Sequence, residues 1–313
     1  MTKKPKNIVL ISGGVGGAKL AEGLNTLKNI NLSVIGNIGA DDEFHGLRVS
    51  PDIDTLTYTL SGKVNRDQGW GLEDETFNTL SVLKNLGHET WMSLGDLDFG
   101  IHIYRQSRLI KNHLPSEIAK DITKKLGIKA KIILPTDDKI RTRVKTKAGW
   151  ISFQEYFVKK KCSPKILKLS YAGIKSARVT QEAKNAIADA TLIIIAPSNP
   201  LVSIKPIIEI PQLKEILKRN KKKVVSVSPL IDGKAVKGPT RKMLTQLGIK
   251  PNSFSCMQLY KDICQAFILD SSDKSLEEQF KALNQKSIFT NTLMTSLEDK
   301  RRLAKFIINL QID

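Results

Sequence analysis

Apolar residues recur along the chain with two periods, and the two alternate. "NIVLISGG" (residues 7–14) is a near-continuous apolar run ending in glycine, the pattern of a strand buried on both faces. "AKLAEGLNTL" (18–27) then places its apolar residues on one helical face, and "NLSVIGNIG" (31–39) reads as a second strand. Strand, glycine loop, helix and strand in that order imply a parallel pair joined by a right-handed crossover.

From "SPDIDTLTYTLSG" (50–62) onward the pattern turns helical. A helix in "TFNTLSVLKNLG" ends at Gly87, a C-cap glycine. Another spans 116–128, with Ser116 as N-cap. Short strands follow at "AKIILP" and "GWISFQEYFV", then a helix at "QEAKNAIADA". "TLIIIAPSNP" is the most apolar strand, and "KKKVVSVSPL" repeats its design of strand then polar loop. "PTRKMLTQLG" and the amphipathic "DKRRLAKFIINLQ" are helices. No repeat, low-complexity tract or linker interrupts this. The expected architecture is α/β: a Rossmann-like, mostly parallel sheet flanked by helices, built from residues 1–60 and 166–313. Residues 61–165 form an inserted, mostly helical subdomain.

Composition narrows the class. No apolar run reaches the roughly 18 residues needed to cross a membrane, and the basic N-terminus runs straight into a strand, unlike a signal peptide. A soluble, cytoplasmic protein is expected. The three cysteines (Cys162, Cys256, Cys264) lack metal-ligand spacing and read as reduced thiols. Basic residues outnumber acidic ones 50 to 31, a net charge of +19. The excess is mostly dispersed lysine without interleaved aromatics, so it reads as solvated surface that helps draw in a polyanionic substrate, with no nucleic acid as partner.

Chemistry is expected beyond the carboxyl ends of the strands. The first loop, G-G-x-G-G, is neither a dinucleotide fingerprint nor a Walker loop. Gly13, Gly14, Gly16 and Gly17 still allow an anion to approach backbone at a helix N-terminus, the alternative being a tight strand–helix turn. In "APSNP", prolines hold Ser198 and Asn199 in a turn facing a ligand, or simply entering a helix. "KGPT" adds Gly238 and Thr240 at a second turn. Asp41, Asp42, Asp52 and Asp54 cluster near the glycine loop, as Mg²⁺ beside a phosphate would require, unless they cap helices and turns. On a helix, Asp98, His102 and Arg105 share one face and would line a site.

Taken together, "GGVGGAKLAEGL", "HGLRVSPDIDTLTYTLSG", "DQGWGLEDETFNTL", "SLGDLDFGIHIYR", "FQEYFV", "APSNPLVSIKPI", "VSVSPLIDGKAVKGPTRKML" and "TLMTSLEDKRRLA" resemble the 2-phospho-L-lactate transferase (CofD) family from about residue 8 to 303. The resemblance implies a Mg²⁺-dependent enzyme of coenzyme F-420 biosynthesis. It would move a phospholactyl group, or phosphoenolpyruvyl in some bacterial members, from a lactyl-diphospho-guanosine donor to the ribityl hydroxyl of the deazaflavin FO, releasing GMP. It also implies a homodimer. The family pattern N-x-G-D-D-x-x-x-H-G stands here as "NIGADDEFHG", with Ala40 at the first acid and Asp41 at the second. Metal and catalytic roles therefore fall to Asp41 and Asp54, with Asp52 behind them. Gly13, Gly14, Gly16, Gly17, Ser198, Asn199 and Gly238 would bind the donor. His45, Arg48, Trp70, Asp98, His102 and Arg105 are candidates for the acceptor side. Asp54→Asn is expected to cut turnover by orders of magnitude while leaving the fold intact. The alternative is a YvcK-type regulator that binds a nucleotide sugar without turnover.

Overall fold

The computed structural model describes residues 4–311. Its centre is a seven-stranded, wholly parallel sheet of β1 (Lys6–Ser12), β2 (Ile30–Gly36), β3 (Lys131–Ile133), β4 (Leu192–Ile195), β5 (Val224–Val227), β6 (Ala266–Asp270) and β7 (Lys286–Thr290), in the spatial order 7-6-5-4-1-2-3. This is the Rossmann order with one more strand. The alternation of side chains along β1 supplies two cores. Ile8 and Leu10 face one layer, where α1 (Gly14–Asn25), α2 (Pro51–Leu60) and the C-terminal helix Leu297–Ile308 pack. Val9 and Ile11 face the other, with Ile187, Leu213 and Met243 among its helical residues.

Three further helices, α3 (Asn78–Asn85), α4 (Asp96–Ile110) and α5 (Pro115–Lys125), follow in chain order. The expected C-cap is present. Gly87, at φ +84°, donates to the Lys84 carbonyl, and His88 donates to that of Leu83, a Schellman motif. Ser116 is not a cap. Pro115 opens α5, so the helix begins one residue earlier, and the Ser116 amide and hydroxyl both donate to Asp137. The strand expected through 149–158 stops at Ser152 and turns helical at Glu155. Strand Gly149–Ser152 belongs instead to an antiparallel sheet with Arg141–Thr146 and Lys168–Ala172. Residues 61–165 thus contain one strand that the periodicity did not suggest, Arg141–Thr146, and the expected strand at "AKIILP" joins the central sheet as β3. Two strands, β6 and β7, were not anticipated. Their runs of five residues are too short for periodicity alone to assign.

All three cysteines are buried and unbridged. Among the described residues no helix is long and apolar enough to cross a membrane.

α3 and α4 cap each other. A helix start leaves amide N–H groups without partners, and a carboxylate there also meets the positive end of the helix dipole. The Asp96 carboxylate accepts from the amides of Asn78 (3.0 Å) and Thr79 (2.9 Å) at the start of α3. Glu75, just before α3, accepts from Leu97 (2.9 Å) and Asp98 (2.9 Å) at the start of α4. α3 has no fully buried residue and meets a small apolar cluster only through half-buried Leu80 and Leu83, so these bonds carry much of its placement. Asp96→Ala should therefore raise amide exchange across residues 78–85 while the central sheet stays protected. Unchanged exchange in α3 would show that the cap does not hold it.

Candidate functional site

The sheet order reverses between β1 and β4, and the segments leaving their carboxyl ends part to form a crevice, where open α/β sheets bind ligands. Residues 13–17 and 197–203 meet there. α1 begins at Gly14, four residues earlier than the periodicity placed it, so three of the four loop glycines are already helical. Gly14 needs its lack of side chain for φ +64°. Gly16 needs it because a Cβ would lie well inside van der Waals contact with the Pro197 carbonyl. At Gly17 a Cβ would strike Ser12 Oγ and Ser198 Oγ, and at Gly13 it would lie 2.5 Å from Asp52 Oδ2. Much of the glycine requirement is thus met by the protein's own second loop and by a carboxylate from α2.

Ser198 accepts a hydrogen bond from the Gly13 amide (3.4 Å), tying the two loops together. Asn199 turns inward: its side chain accepts from the Leu201 amide (3.0 Å) and caps the helical turn that follows. Asn37, which was not singled out in the sequence, is the hub. It is wholly buried at the end of β2. Its Nδ2 donates to Asp52 Oδ2 (2.8 Å) and the Val202 carbonyl (3.0 Å), and its Oδ1 accepts from Gly39 (2.8 Å). The signal was the Asn at a strand end followed by Gly in "GNIG".

A charged network lies beside this cradle. Asp41 is buried and takes Arg48 Nη2 (2.9 Å), Arg48 Nε (3.1 Å) and the Ser50 hydroxyl (2.8 Å) on one oxygen, Oδ2. Its Oδ1 is buried with no hydrogen-bond partner among the described residues. Burial pushes the Asp41 carboxyl up, opposed by Arg48 and Arg141. Asp54 is also buried, and both its oxygens are engaged by Arg105, with Oδ2 also accepting the Ser50 amide (3.1 Å). His102 Nδ1 lies 3.0 Å from Arg105 Nη1. Because a guanidinium can only donate, Nδ1 accepts and the ring is neutral. Burial lowers its pKa to about 4, with Asp54 pulling the other way and Arg105 adding to the fall. Asp98 joins through Tyr58, whose hydroxyl donates to it (2.6 Å), and burial raises it to about 6.

Two predicted acceptor residues lie apart from this network. His45 forms the apex of the hairpin Asp42–Phe44/Leu47–Val49 at φ +53°, its ring 5.9 Å from His88 and 6.1 Å from Phe99. Trp70 is half-exposed beside Lys237, whose ammonium lies 4.2 Å above its ring. Gly238, at φ +78°, follows Lys237, and nothing stands within 4 Å of where its side chain would be. Thr240 is buried at the start of a helix.

For a divalent cation, the informative features are the orphan Oδ1 of Asp41 and the state of Asp52. Asp52 is partly exposed and raised to about 6 by burial, against the Asn37 bond and with the charge of Asp41 adding to the rise. A buried carboxylate with an open oxygen, whose charge raises a second carboxylate nearby, suits a hard cation that takes one or two protein carboxylates and completes its shell with phosphate and water. No group of three potential ligands converges among the described residues. Asp54, whose oxygens Arg105 occupies, offers less, and Asp42 accepts only the Glu43 amide.

Gly16→Ala should destabilise by about 1–3 kcal/mol in thermal melts, because it drives a methyl into backbone rather than into a movable side chain. Wild-type stability would mean that α1 and Pro197 separate freely. His102 should stay neutral down to about pH 4 by imidazole NMR. With the folded value below the usual 6.5, its contribution is lost as pH falls through that window, because the unfolded chain takes the proton first. Asp52 and Asp98 act with the opposite sign below about pH 6, so the histidine effect is read as the difference between wild type and His102→Gln.

Comparison with known proteins agrees with this arrangement. The profile of the family described as 2-phospho-L-lactate transferase CofD matches residues 8–303. The chain is 37% identical over 304 residues to the 2-phospho-L-lactate transferase of Methanococcoides burtonii, covering 97% of this chain and 99% of that one. It is likewise 37% identical over 306 residues to that of Methanocaldococcus jannaschii, covering 96% and 97%. A solved structure of a UPF0052 family member from Bacillus halodurans shares the fold, with a TM-score of 0.67 at 15% identity over 97% of this chain and 99% of that one. With family motifs running in order through the sheet, the glycine crevice and the carboxylate network, the chain belongs to the 2-phospho-L-lactate transferase (CofD) family.

Proposed function

We propose that this protein transfers a 2-phospho-L-lactyl group, or the closely related phosphoenolpyruvyl group, from a lactyl-diphospho-guanosine type donor to the ribityl hydroxyl of the deazaflavin FO. The observation that carries the reading is the crevice between β1 and β4, where glycine backbone meets Asp52, a carboxylate raised by burial and by the charge of Asp41, in a chain matched to the family over nearly its full length. The donor's diphosphate would lie along residues 13–17. The acceptor hydroxyl oxygen forms a bond to the phosphorus bearing the lactyl group as the bond to the GMP oxygen breaks, and the hydroxyl proton leaves to a carboxylate. Asp52, ionised at neutral pH and raised to about 6, suits that proton acceptor. Asp41 Oδ1, the free buried carboxylate oxygen, would hold Mg²⁺ together with the donor's phosphates. When bound, the ion offsets charge on the phosphoryl oxygens. Catalysis of this type is mainly positioning and charge neutralisation.

Arg105 and His102 then support the site rather than touch substrate: Arg105 holds Asp54, His102 accepts from Arg105, and the Arg105 guanidinium also donates to the Arg48 carbonyl (3.1 Å), which steadies the partner of Asp41. A homodimer is part of the same reading.

The test is turnover of FO and Mg²⁺ with each guanylyl donor, resolved by mass spectrometry. Phosphorylated deazaflavin plus GMP is expected, and no product from folded protein with any donor would overturn the reading. Two variants separate chemistry from architecture. Asp52→Asn should melt like wild type and lose about 10²–10⁴-fold in turnover, the worth of a general base. Asp54→Asn should instead lose about 3–5 kcal/mol of stability, because it leaves the buried Arg105 without its counter-charge. Near-normal turnover in Asp52→Asn removes it as proton acceptor.

A further inference from the structure

Two segments far apart in sequence close over the first turn of α1. Residues 65–71 form a self-bonded loop: Asn65 Oδ1 accepts from the amides of Asp67 and Gln68 (3.1 Å each), and the Gly69 amide donates to the Asn65 carbonyl (2.8 Å). Gly69, at φ +77°, brings this loop so near the glycine crevice that a Cβ there would lie 2.9 Å from Val15 Cγ1. Lys237 reaches it from a position 169 residues beyond Gln68, donating to that residue's carbonyl and lying over the Trp70 ring. One turn past Val15, Lys19 is partly buried, donating to the Met294 carbonyl (3.1 Å).

The charge here is unbalanced. Glu22, the acid on α1 itself, is committed to Arg66 (2.6 Å) and Lys300 (2.6 Å). Neither Lys19 nor Lys237 forms an ion pair among the described residues. Burial and then the neighbouring Lys300 and Lys237 lower the Lys19 pKa, and Glu22 only partly opposes the fall.

We propose that Trp70 and Lys237 form a gate that recognises the nucleotide of the donor: the heterocyclic base takes the Trp70 face that Lys237 covers, and the freed Lys237 joins Lys19 on the phosphates. The inference rests on the proposed donor reading. A half-exposed cation–π contact is weak and yields to a phosphate. A ring joined to an anion uses both the indole face and the uncompensated lysines, whereas a neutral ring would use only the first. The self-bonded loop presents Trp70 in place before ligand arrives.

The test is a fluorescence titration with GDP, with riboflavin as a phosphate-free ring. GDP should quench the wild-type emission, and Trp70→Phe should lose that quench but keep the affinity. Trp70→Ala and Lys237→Ala, whose folding is checked by circular dichroism, should each weaken GDP about tenfold. In turnover they should raise KM for the donor with kcat largely retained, the pattern of lost uniform binding. Unchanged GDP affinity in both alanine variants, or quenching by riboflavin and not by GDP, would overturn the gate. The two proposals fail separately. Trp70-dependent GDP binding without turnover leaves the gate and removes the transferase reading, while turnover with unaffected alanine variants does the reverse.

Discussion

The arrangement depends on how closely the first turn of α1 approaches the Pro197 carbonyl. Backbone meets backbone there, so no side chain can intervene, and Gly16 is required on geometric grounds. That approach sets the width of the crevice at the point where the sheet order reverses. Ser198 closes it with one hydrogen bond, and Asn37 joins β2, α2 and the second loop beneath it. A cleft built this way is rigid before a ligand arrives, which is what a reaction dominated by positioning requires.

The polar network behind the crevice follows a different logic. Buried charges are costly unless paired, and here they are paired in series: Arg48 on Asp41, Arg105 on Asp54. His102 stays neutral chiefly because burial disfavours its charged form, with Arg105 beside it adding to the effect. Arg105 is carried by α4, outside the central sheet, so the Asp54–Arg105 pair joins the helical region to α2. The reciprocal caps of Glu75 and Asp96 orient α4 for this pairing. Segments that carry the family resemblance, "LEDET" and "SLGDLD", thus owe part of their form to helix ends.

The net charge of +19 divides the same way. Exposed lysines such as Lys139, Lys159 and Lys218 sit in surface pairs worth little to stability. Lys19 and Lys237 have no such partners among the described residues and stand beside the first turn of α1, where a polyanionic substrate would meet them. Local placement, rather than the total, is what makes this charge relevant to function.

The sequence by itself determined the parallel α/β core, since β1, β2 and β4 are apolar on both faces and the first two flank a glycine turn and an amphipathic helix. Its ordered motifs were enough to place the chain in its family. Helix starts at Gly14 and Pro115, and the strands at 266–270 and 286–290, came out only in three dimensions, because short runs have no distinguishable period. The roles of the aspartates were likewise tertiary. Asp41, Asp52 and Asp54 are alike in type and close in sequence. Only the fold puts Arg105 on Asp54, Asn37 and the glycine turn on Asp52, and leaves one oxygen of Asp41 without a partner. A carboxylate's chemistry is set by what surrounds it, and those neighbours arrive from distant parts of the chain.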